Sequence, residues 1–180
     1  MERINRIINH KLYLEYIEKI KSHEMDRIFC KHDTVHFLDV CRLAEIDWLK
    51  HQLRKAEEKC DFFSEINSDS DEKMAAFREF IYAAGLLHDI GRWQEYEQGI
   101  RHEIASSILA PAILEDCGFK QQEIDEIVLA ISNHRNKEIK EECSLSGYLY
   151  RADKKSRPCF LCEAEKACDW PAEKKNLKIV

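Results

Sequence analysis

The chain has 180 residues, of which 44% are apolar and 34% charged, and this size and composition predict one globular domain spanning residues 1–180. A formal net charge of −6 disfavours an extended nucleic-acid surface. No stretch is long and apolar enough to span a membrane, and the first twenty residues lack the apolar core of a signal peptide. We therefore expect a cytoplasmic protein whose eight cysteines are reduced thiols or metal ligands.

Helical periodicity runs almost throughout the chain, and five glycines with three prolines leave little turn material for strands. We therefore predict an all-α fold. The predicted helices span approximately residues 4–17, 33–60, 71–90, 102–117, 121–134 and 144–156.

Three local features shape these boundaries. The second helix is capped by Asp33 or Thr34, and the third, which follows a polar acidic loop at 64–71, by Ser70 or Asp71. Residues 92–101 are predicted to form a second loop. Pro111 lies inside the fourth helix and is expected to kink or split it.

The stretch 81–93 reads I-Y-A-A-G-L-L-H-D-I-G-R-W and places His88 beside Asp89 at the end of an apolar helix. Burying such an ionisable pair is costly unless something neutralises it. Imidazole with carboxylate is a common ligand combination for a divalent metal. The alternative is a His–Asp pair that satisfies its own hydrogen bonds at the helix end.

Four further candidate ligands lie on other predicted helices, each at a helix end or beside an apolar stripe. They are His36, His102, His134 and Asp153. Any one of these histidines alone is more often a hydrogen-bonded core residue than a ligand. Together with the pair at 88 and 89, however, they form a set of six, which favours a metal site between helices.

With these residues the sequence resembles the HD-domain superfamily of metal-dependent phosphohydrolases. The resemblance rests on His36 with Val40 four residues later, on L-L-H-D-I-G-R at 86–92 and on Ala-Asp at 152–153. It covers about residues 34–157 and implies an all-α HD-domain helical core with the metal site between its helices.

His102 and His134 resemble the additional ligands of binuclear HD proteins. Those proteins include cyclic-nucleotide phosphodiesterases with an HD core and bacterial HD hydrolases that split diadenosine tetraphosphate symmetrically. No G-Y-P segment follows the motif, which argues against a cyclic dinucleotide substrate. Arg92 stands where many relatives carry lysine, and either side chain can hold a phosphate.

The resemblance implies two divalent metal ions, Fe, Mn, Co, Ni or Zn, because mixed nitrogen and oxygen ligands suit these better than Mg alone. The ligands of the first ion would be His36, His88, Asp89 and Asp153. Those of the second would be Asp89, His102 and His134, with Asp89 bridging the ions. The expected reaction is attack of a metal-bound hydroxide on a nucleotide or another small phosphate ester or anhydride.

Basic side chains near the candidate ligands suggest an anionic substrate. Arg92 directly follows the metal pair and is the first choice for a phosphate contact. The other expected substrate-binding residues are Arg135, Lys154 and Arg157, with Lys31 and Arg101 also close in sequence to ligands. For each of these residues, a solvated helix surface is the alternative.

Two more residues next to candidate ligands receive supporting roles. His32 lies four residues before His36 and is assigned, with Asp89 and Arg92, to catalysis, either as proton donor to the leaving group or as partner of a ligand. Glu103 follows His102 and is expected to orient the site; an acidic residue in a helix first turn is the alternative.

The tail at 159–180 is rich in cysteine. Its stretch C-F-L-C-E-A-E-K-A-C is a partial zinc signature formed by Cys159, Cys162 and Cys168, for which Cys143 is a conceivable fourth ligand. The alternative is a final helix of reduced thiols docked by Phe160, Leu161 and Trp170.

Two other functional classes remain open at this point. The protein could be a catalytically inactive regulatory module that binds metal and nucleotide, or an HD-type di-iron oxygenase. Turnover of phosphate esters without oxygen separates these classes from a hydrolase, whereas the natural substrate depends on pocket walls that sequence alone does not display.

Overall fold

The computed structural model describes residues 1–58 and 68–178, and within these ranges the chain contains helices and no strand. The all-α prediction is confirmed. The α-helices are α1 (Glu2–Ile8), α2 (Lys11–His23), α3 (Thr34–Glu58), α4 (Ser68–Leu87), α5 (Arg92–Gln98), α6 (His102–Asp116), α7 (Gln121–Asn133) and α8 (Leu145–Lys155). No helix in these ranges is long and apolar enough to cross a membrane.

The first predicted helix is in fact two helices, because His10 interrupts it and caps α2. The ring nitrogen Nδ1 of His10 accepts a hydrogen bond from the Leu12 backbone N–H at 3.2 Å. Further along, α3 begins where Asp33 caps it, since Asp33 Oδ1 accepts from the backbone N–H groups of Val35 and His36, both at 3.0 Å.

Three other boundaries differ from the prediction. Residues 92–101 hold α5, a short helix that Gly99 ends with a left-handed φ of 70°, so the predicted loop is wrong. Of the predicted loop at 64–71, residues 64–67 lie outside the described residues, and residues 68–71 belong to α4, which begins at Ser68 rather than at the predicted caps. The helix α6 runs unbroken through Pro111, because packing against α5 and α7 offsets the lost backbone hydrogen bond.

The core lies where α3, α4, α7 and α8 pack together, with α6 on the outer side of α7. Its centre is formed by Phe37, Leu87, Ile127 and Leu149, which are almost completely buried. The short helix α5 bridges α6 and α2, and α1 packs on α4.

Gly91 allows the start of α6 to approach the end of α4. A Cβ atom at this position would lie 2.4 Å from the Ser106 backbone nitrogen, closer than real contacts permit. The Gly91 backbone N–H also donates to Ser106 Oγ at 2.9 Å. The motif glycine therefore positions α6, whose first residue is His102, next to Asp89.

Candidate metal centre

The six candidate ligands converge in the interior of the helical core, and all of them are buried. Two of them, His88 and Asp89, follow α4, and His134 follows α7. The others lie on helices: His36 in the first turn of α3, His102 at the start of α6 and Asp153 within α8. Each comes from a helix end or an inward face, as the sequence predicted.

One set of ligand atoms gathers around Asp89 Oδ2. His88 Nε2 lies 3.3 Å from this oxygen, and His36 Nε2 lies 3.8 Å from it. Asp153 Oδ1 approaches the same two imidazole nitrogens, at 3.6 Å from His36 and 4.0 Å from His88. These four residues therefore surround one point.

A second set gathers around the other carboxylate oxygen. His102 Nε2 lies 3.3 Å and His134 Nε2 lies 3.7 Å from Asp89 Oδ1, and the two nitrogens are 3.3 Å apart. The two oxygens of Asp89 thus face separate groups of donors, and each group could hold a metal ion.

Each of the four histidines has its Nδ1 atom engaged away from the centre, which leaves Nε2 directed inwards. The Nδ1 partners are the Gly85 carbonyl for His88 (2.8 Å), the Ile131 carbonyl for His134 (2.6 Å), Ser156 Oγ for His36 (3.1 Å) and Glu95 Oε2 for His102 (2.6 Å). Such partners fix the orientation and tautomer of metal-binding imidazoles. Sequence reasoning missed Glu95 and Ser156, because Glu95 was assigned to a loop and Ser156 to a helix end.

Several inward atoms lack a protein partner, which tests whether a cation fits. His36 Nε2, His88 Nε2 and Asp89 Oδ1 are buried without a hydrogen bond. Each such buried polar atom costs about 1–3 kcal/mol when left unsatisfied. Nitrogen and oxygen donors in this combination are suited to a divalent ion of the borderline class.

Asp89, Asp153 and His134 have the ionisation states that metal ligands need. Burial opposes ionisation of Asp89, but the neighbouring His88 and His102 outweigh it and hold the pKa of Asp89 well below its ordinary value. Lys154 and Arg157 lower the pKa of Asp153 in the same way, against the effect of burial. Burial, with the charge of His88, lowers the pKa of His134 to about 3, so this imidazole is neutral at neutral pH.

Four predicted substrate-binding residues line one cavity of about 670 Å³ that opens beside the centre. They are Arg92, Arg135, Lys154 and Arg157. The Arg92 side chain reaches the ligand shell, with Nη1 2.7 Å from His102 Nδ1 and 3.1 Å from Glu95 Oε2.

Lys31 and Arg101 are not part of this cavity. Lys31 lines a separate cavity of about 390 Å³, and Arg101 is exposed and pairs with Glu103. Glu103 itself is 3.9 Å from His102 Nδ1, beyond hydrogen-bond distance, so its predicted orienting role belongs to Glu95.

His32 also points at the centre, with Nε2 3.8 Å from Asp89 Oδ2. Its Nδ1 is 2.5 Å from Glu24 Oε1, which also accepts from the Tyr96 hydroxyl at 2.5 Å. Burial lowers the pKa of His32 to about 4. Glu24 is held at a pKa of about 2, because the His32 hydrogen bond outweighs burial. No sequence spacing identifies Glu24 or Tyr96 as partners of His32.

The cysteines that the structure describes do not join the centre. Seven cysteines fall in the described ranges, and all seven are free thiols outside both ligand groups. The tail forms short 3₁₀ turns rather than a final helix, and Phe160 and Leu161 are exposed instead of docked.

Comparisons with known proteins identify the family. A protein of Clostridium beijerinckii, described only as "Uncharacterized protein", is 39% identical over 179 residues, which cover 99% of each chain. No solved structure matches the chain. The HD domain family matches residues 36–158, which include all six candidate ligands. Together with the His/Asp centre, this match shows that the chain belongs to the HD-domain superfamily of metal-dependent phosphohydrolases.

Proposed function

We propose that this protein hydrolyses a nucleotide or another small phosphate ester or anhydride in a metal-dependent reaction. The observation that carries the proposal is the position of Asp89, whose two carboxylate oxygens face separate sets of buried imidazole nitrogens. This arrangement supports two ions that share one carboxylate.

The two metal ions would be bound by the ligands that the sequence predicted. His36, His88, Asp89 and Asp153 would bind one ion, and Asp89, His102 and His134 the other. When bound, divalent ions of this kind supply Lewis acidity, which lowers the pKa of water and stabilises charge on phosphoryl oxygens.

Arg92 is the side chain best placed to bind the phosphate that reacts. Its guanidinium group lines the cavity next to His102 and is only 16% exposed, so water screens its charge weakly. Arg135, Lys154 and Arg157 lie along the same cavity and would hold further negative charge. A planar guanidinium can bind two phosphate oxygens at once.

His32 is the group proposed to move a proton. Its Nδ1–H donates to the ionised Glu24, so at neutral pH Nε2 carries a lone pair near Asp89. His32 would therefore take the proton that the attacking water loses and pass it to the leaving oxygen.

The test is hydrolysis of a panel of nucleotides, dinucleoside polyphosphates and phosphomonoesters, followed by chromatography of the products, without oxygen and with Mn²⁺, Co²⁺, Ni²⁺, Fe²⁺ or Zn²⁺. We expect turnover with at least one metal and its loss in excess chelator. Anaerobic turnover distinguishes a hydrolase from an oxygenase. Undiminished hydrolysis in excess chelator, or no hydrolysis of any compound with any metal, would contradict the proposal.

A further inference from the structure

The cavity beside the metal centre extends well beyond the space that a phosphate needs. At about 670 Å³ it has the volume of pockets that enclose a whole small-molecule ligand. Asp89, His102 and Asp153 of the candidate centre line part of it. Another part is lined by the tail segment, defined as residues 159–176, which contributes Trp170 among others.

The tail segment lies outside the residues that match the HD domain family, which end at 158. It is fixed to the end of α8 by Asn176, whose Nδ2 donates to the carbonyl oxygens of Lys154 (2.8 Å) and Arg157 (2.9 Å). The Phe160 backbone N–H donates back to the Asn176 carbonyl at 3.0 Å. The segment is therefore a defined wall of the cavity, although little of it is buried.

The cavity lining has a charge opposite to that of the whole chain. Nine Lys and Arg residues line it against five Asp and Glu, although acidic residues exceed basic ones in the chain, 34 to 28. Because two of the five carboxylates belong to the candidate metal centre, the space left for a ligand is strongly basic. Such a lining attracts a polyanion.

Trp170 adds an aromatic surface to this basic space. The ring is half-buried, and the Arg157 guanidinium carbon lies 5.1 Å from its centroid. Arg157 also donates to Asp153 Oδ1 at 3.2 Å, so one side chain contacts both the indole and the candidate metal ligand. An aromatic group that stacked on Trp170 would therefore lie within reach of a phosphate at the centre.

We propose that the tail segment selects the substrate, with Trp170 as a stacking surface for a planar aromatic group that the phosphate compound carries, as a nucleotide carries its base. The proposal rests on the phosphohydrolase function proposed above. Trp170 is a specificity-determining residue that meets the aromatic group and not the reacting phosphate. Stacking of a base on an aromatic side chain strengthens binding without hydrogen-bond readout of the base.

The activity test compares matched substrates that differ only in the aromatic group: adenosine 5′-phosphate with ribose 5-phosphate, and ATP with inorganic triphosphate. p-Nitrophenyl phosphate separates preference for any aromatic ring from preference for a nucleobase. In Trp170→Ala we expect kcat/KM to fall about tenfold or more for the aromatic members, and less than about twofold for their partners. Trp170→Phe should retain most of the preference.

Phe160→Ala is the matched control, because Phe160 belongs to the tail segment, is exposed and does not line the cavity. It should leave every kcat/KM unchanged. Equal losses for aromatic and non-aromatic substrates in Trp170→Ala, or no loss for either, would overturn the proposal.

A binding measurement separates failure of this proposal from failure of the proposed function. Trp48 and Trp93 are buried, so Trp170 is the indole accessible to a ligand. Adenosine 5′-phosphate added to the wild type in chelator should quench tryptophan fluorescence, whereas ribose 5-phosphate should not, and Trp170→Phe should abolish the quenching. Quenching without turnover of any substrate would sustain the stacking site and contradict the hydrolase. Turnover without quenching and without preference for aromatic substrates would support the hydrolase and contradict the stacking site.

Discussion

Asp89 is the residue in which local sequence and site chemistry meet. It follows the last turn of α4, so its backbone is set by the helix, while its carboxylate lies among imidazoles from three other elements. A buried carboxylate is stable as an anion only where compensating positive charge is present. For Asp89 this positive charge is needed near each of the two oxygens, because they face different groups of ligands.

Replacing Asp89 by Ala should remove bound metal and activity together, because the carboxylate serves both proposed ions. We expect kcat/KM to fall by at least about 10³-fold, since metal ions contribute several kcal/mol to such reactions. Metal content by elemental analysis and kcat/KM for the best substrate of the panel check this. Asp39→Ala, which changes a partly exposed carboxylate on α3 outside the centre, is the control and should keep both. An Asp89→Ala protein with full metal content would show that the carboxylate is not a ligand.

Replacing Arg92 by Ala should reduce turnover while leaving metal bound, because a guanidinium group is a hydrogen-bond donor and not a ligand. The expected loss in kcat/KM is about 10²-fold, the usual effect of removing one donor to developing charge. The kcat/KM of Arg92→Lys should lie between those of the wild type and Arg92→Ala, because lysine keeps the positive charge but lacks the planar guanidinium group. Arg42→Ala, an exposed change on α3, should have no effect. Loss of metal in Arg92→Ala would instead assign this residue to supporting His102, which it contacts.

At the scale of helices, the site depends on how closely α6 approaches the end of α4. Gly91 makes this approach possible, and it also explains physically why the motif needs a residue without a side chain there. The position of His102 in the centre is therefore set by a backbone contact and not by its own sequence neighbourhood.

Gly91→Ala should destabilise the protein by about 1–3 kcal/mol, since the new methyl group overlaps the α6 backbone. Its metal content should also fall, because α6 must shift and carry His102 with it. Denaturant unfolding and elemental analysis measure the two effects. Gly99→Ala is the matched control: it has open space but a left-handed φ, so it should cost about 1–2 kcal/mol and keep the metal. Normal metal content in Gly91→Ala would disprove the link between this contact and the centre.

A second inter-helix contact joins α1, α4 and α7 through Arg3, which lies 2.7 Å from both Glu79 Oε2 and Glu123 Oε2. Partial burial of Glu79 opposes ionisation, but hydrogen bonds from the terminal amine and Arg3 prevail and lower its pKa below the ordinary 4.5. The pKa of Glu123 is lowered too, against burial, by the Lys120 backbone N–H and by Arg3.

Because these carboxyl pKa values are depressed in the folded state, their contribution to stability is present above pH 4.5 and is lost as the pH falls below it. Arg3→Met should therefore cost about 1–2 kcal/mol at pH 6, and progressively less as the pH falls from 4.5 towards 3. Denaturant unfolding across this range measures the difference. Arg6→Met, which breaks an exposed pair with Glu2, is the control and should cost under about 0.5 kcal/mol. A cost for Arg3→Met that did not change with pH would refute the ion-pair explanation.

For the molecule as a whole, the candidate centre ties together α3, the end of α4, α6, the end of α7 and α8. Most of the core therefore contributes to one site, and metal binding should be linked to global stability. Ligand that binds only the folded state at 100 times its Kd adds about 2.7 kcal/mol.

Chelation should accordingly lower the melting temperature by roughly 5–10 °C, and added Mn²⁺ should restore it. Differential scanning calorimetry with and without metal provides the measurement. The Asp89→Ala protein should show no metal-dependent shift. Identical melting of metal-free and metal-loaded wild type would mean that the ions do not bridge these helices.

The sequence by itself determined the fold class and the family, and it predicted the six residues that the structure brings together at the candidate centre. Each candidate ligand carries a local signal: an ionisable His or Asp at the end or on the inner face of an apolar helix, where its burial needs a reason. Such signals depend only on residue type and helical periodicity, so they can be read without knowing how the helices pack. The short helix α5 was missed, because seven residues with one buried tryptophan show too little periodicity.

Tertiary structure alone decided which residues support the ligands and which form the cavity. The chain has 34 carboxylates, and nothing in their spacing distinguishes Glu24 and Glu95, which bind His32 and His102, from the others. Likewise, Lys31 and Arg157 both lie near ligands in sequence, yet only Arg157 lines the large cavity. Each partnership joins residues seven or eight positions apart, with a turn of the chain between them. Both partnerships arise from the packing of helices, because the geometry of a hydrogen bond is satisfied in space and leaves no period in the sequence.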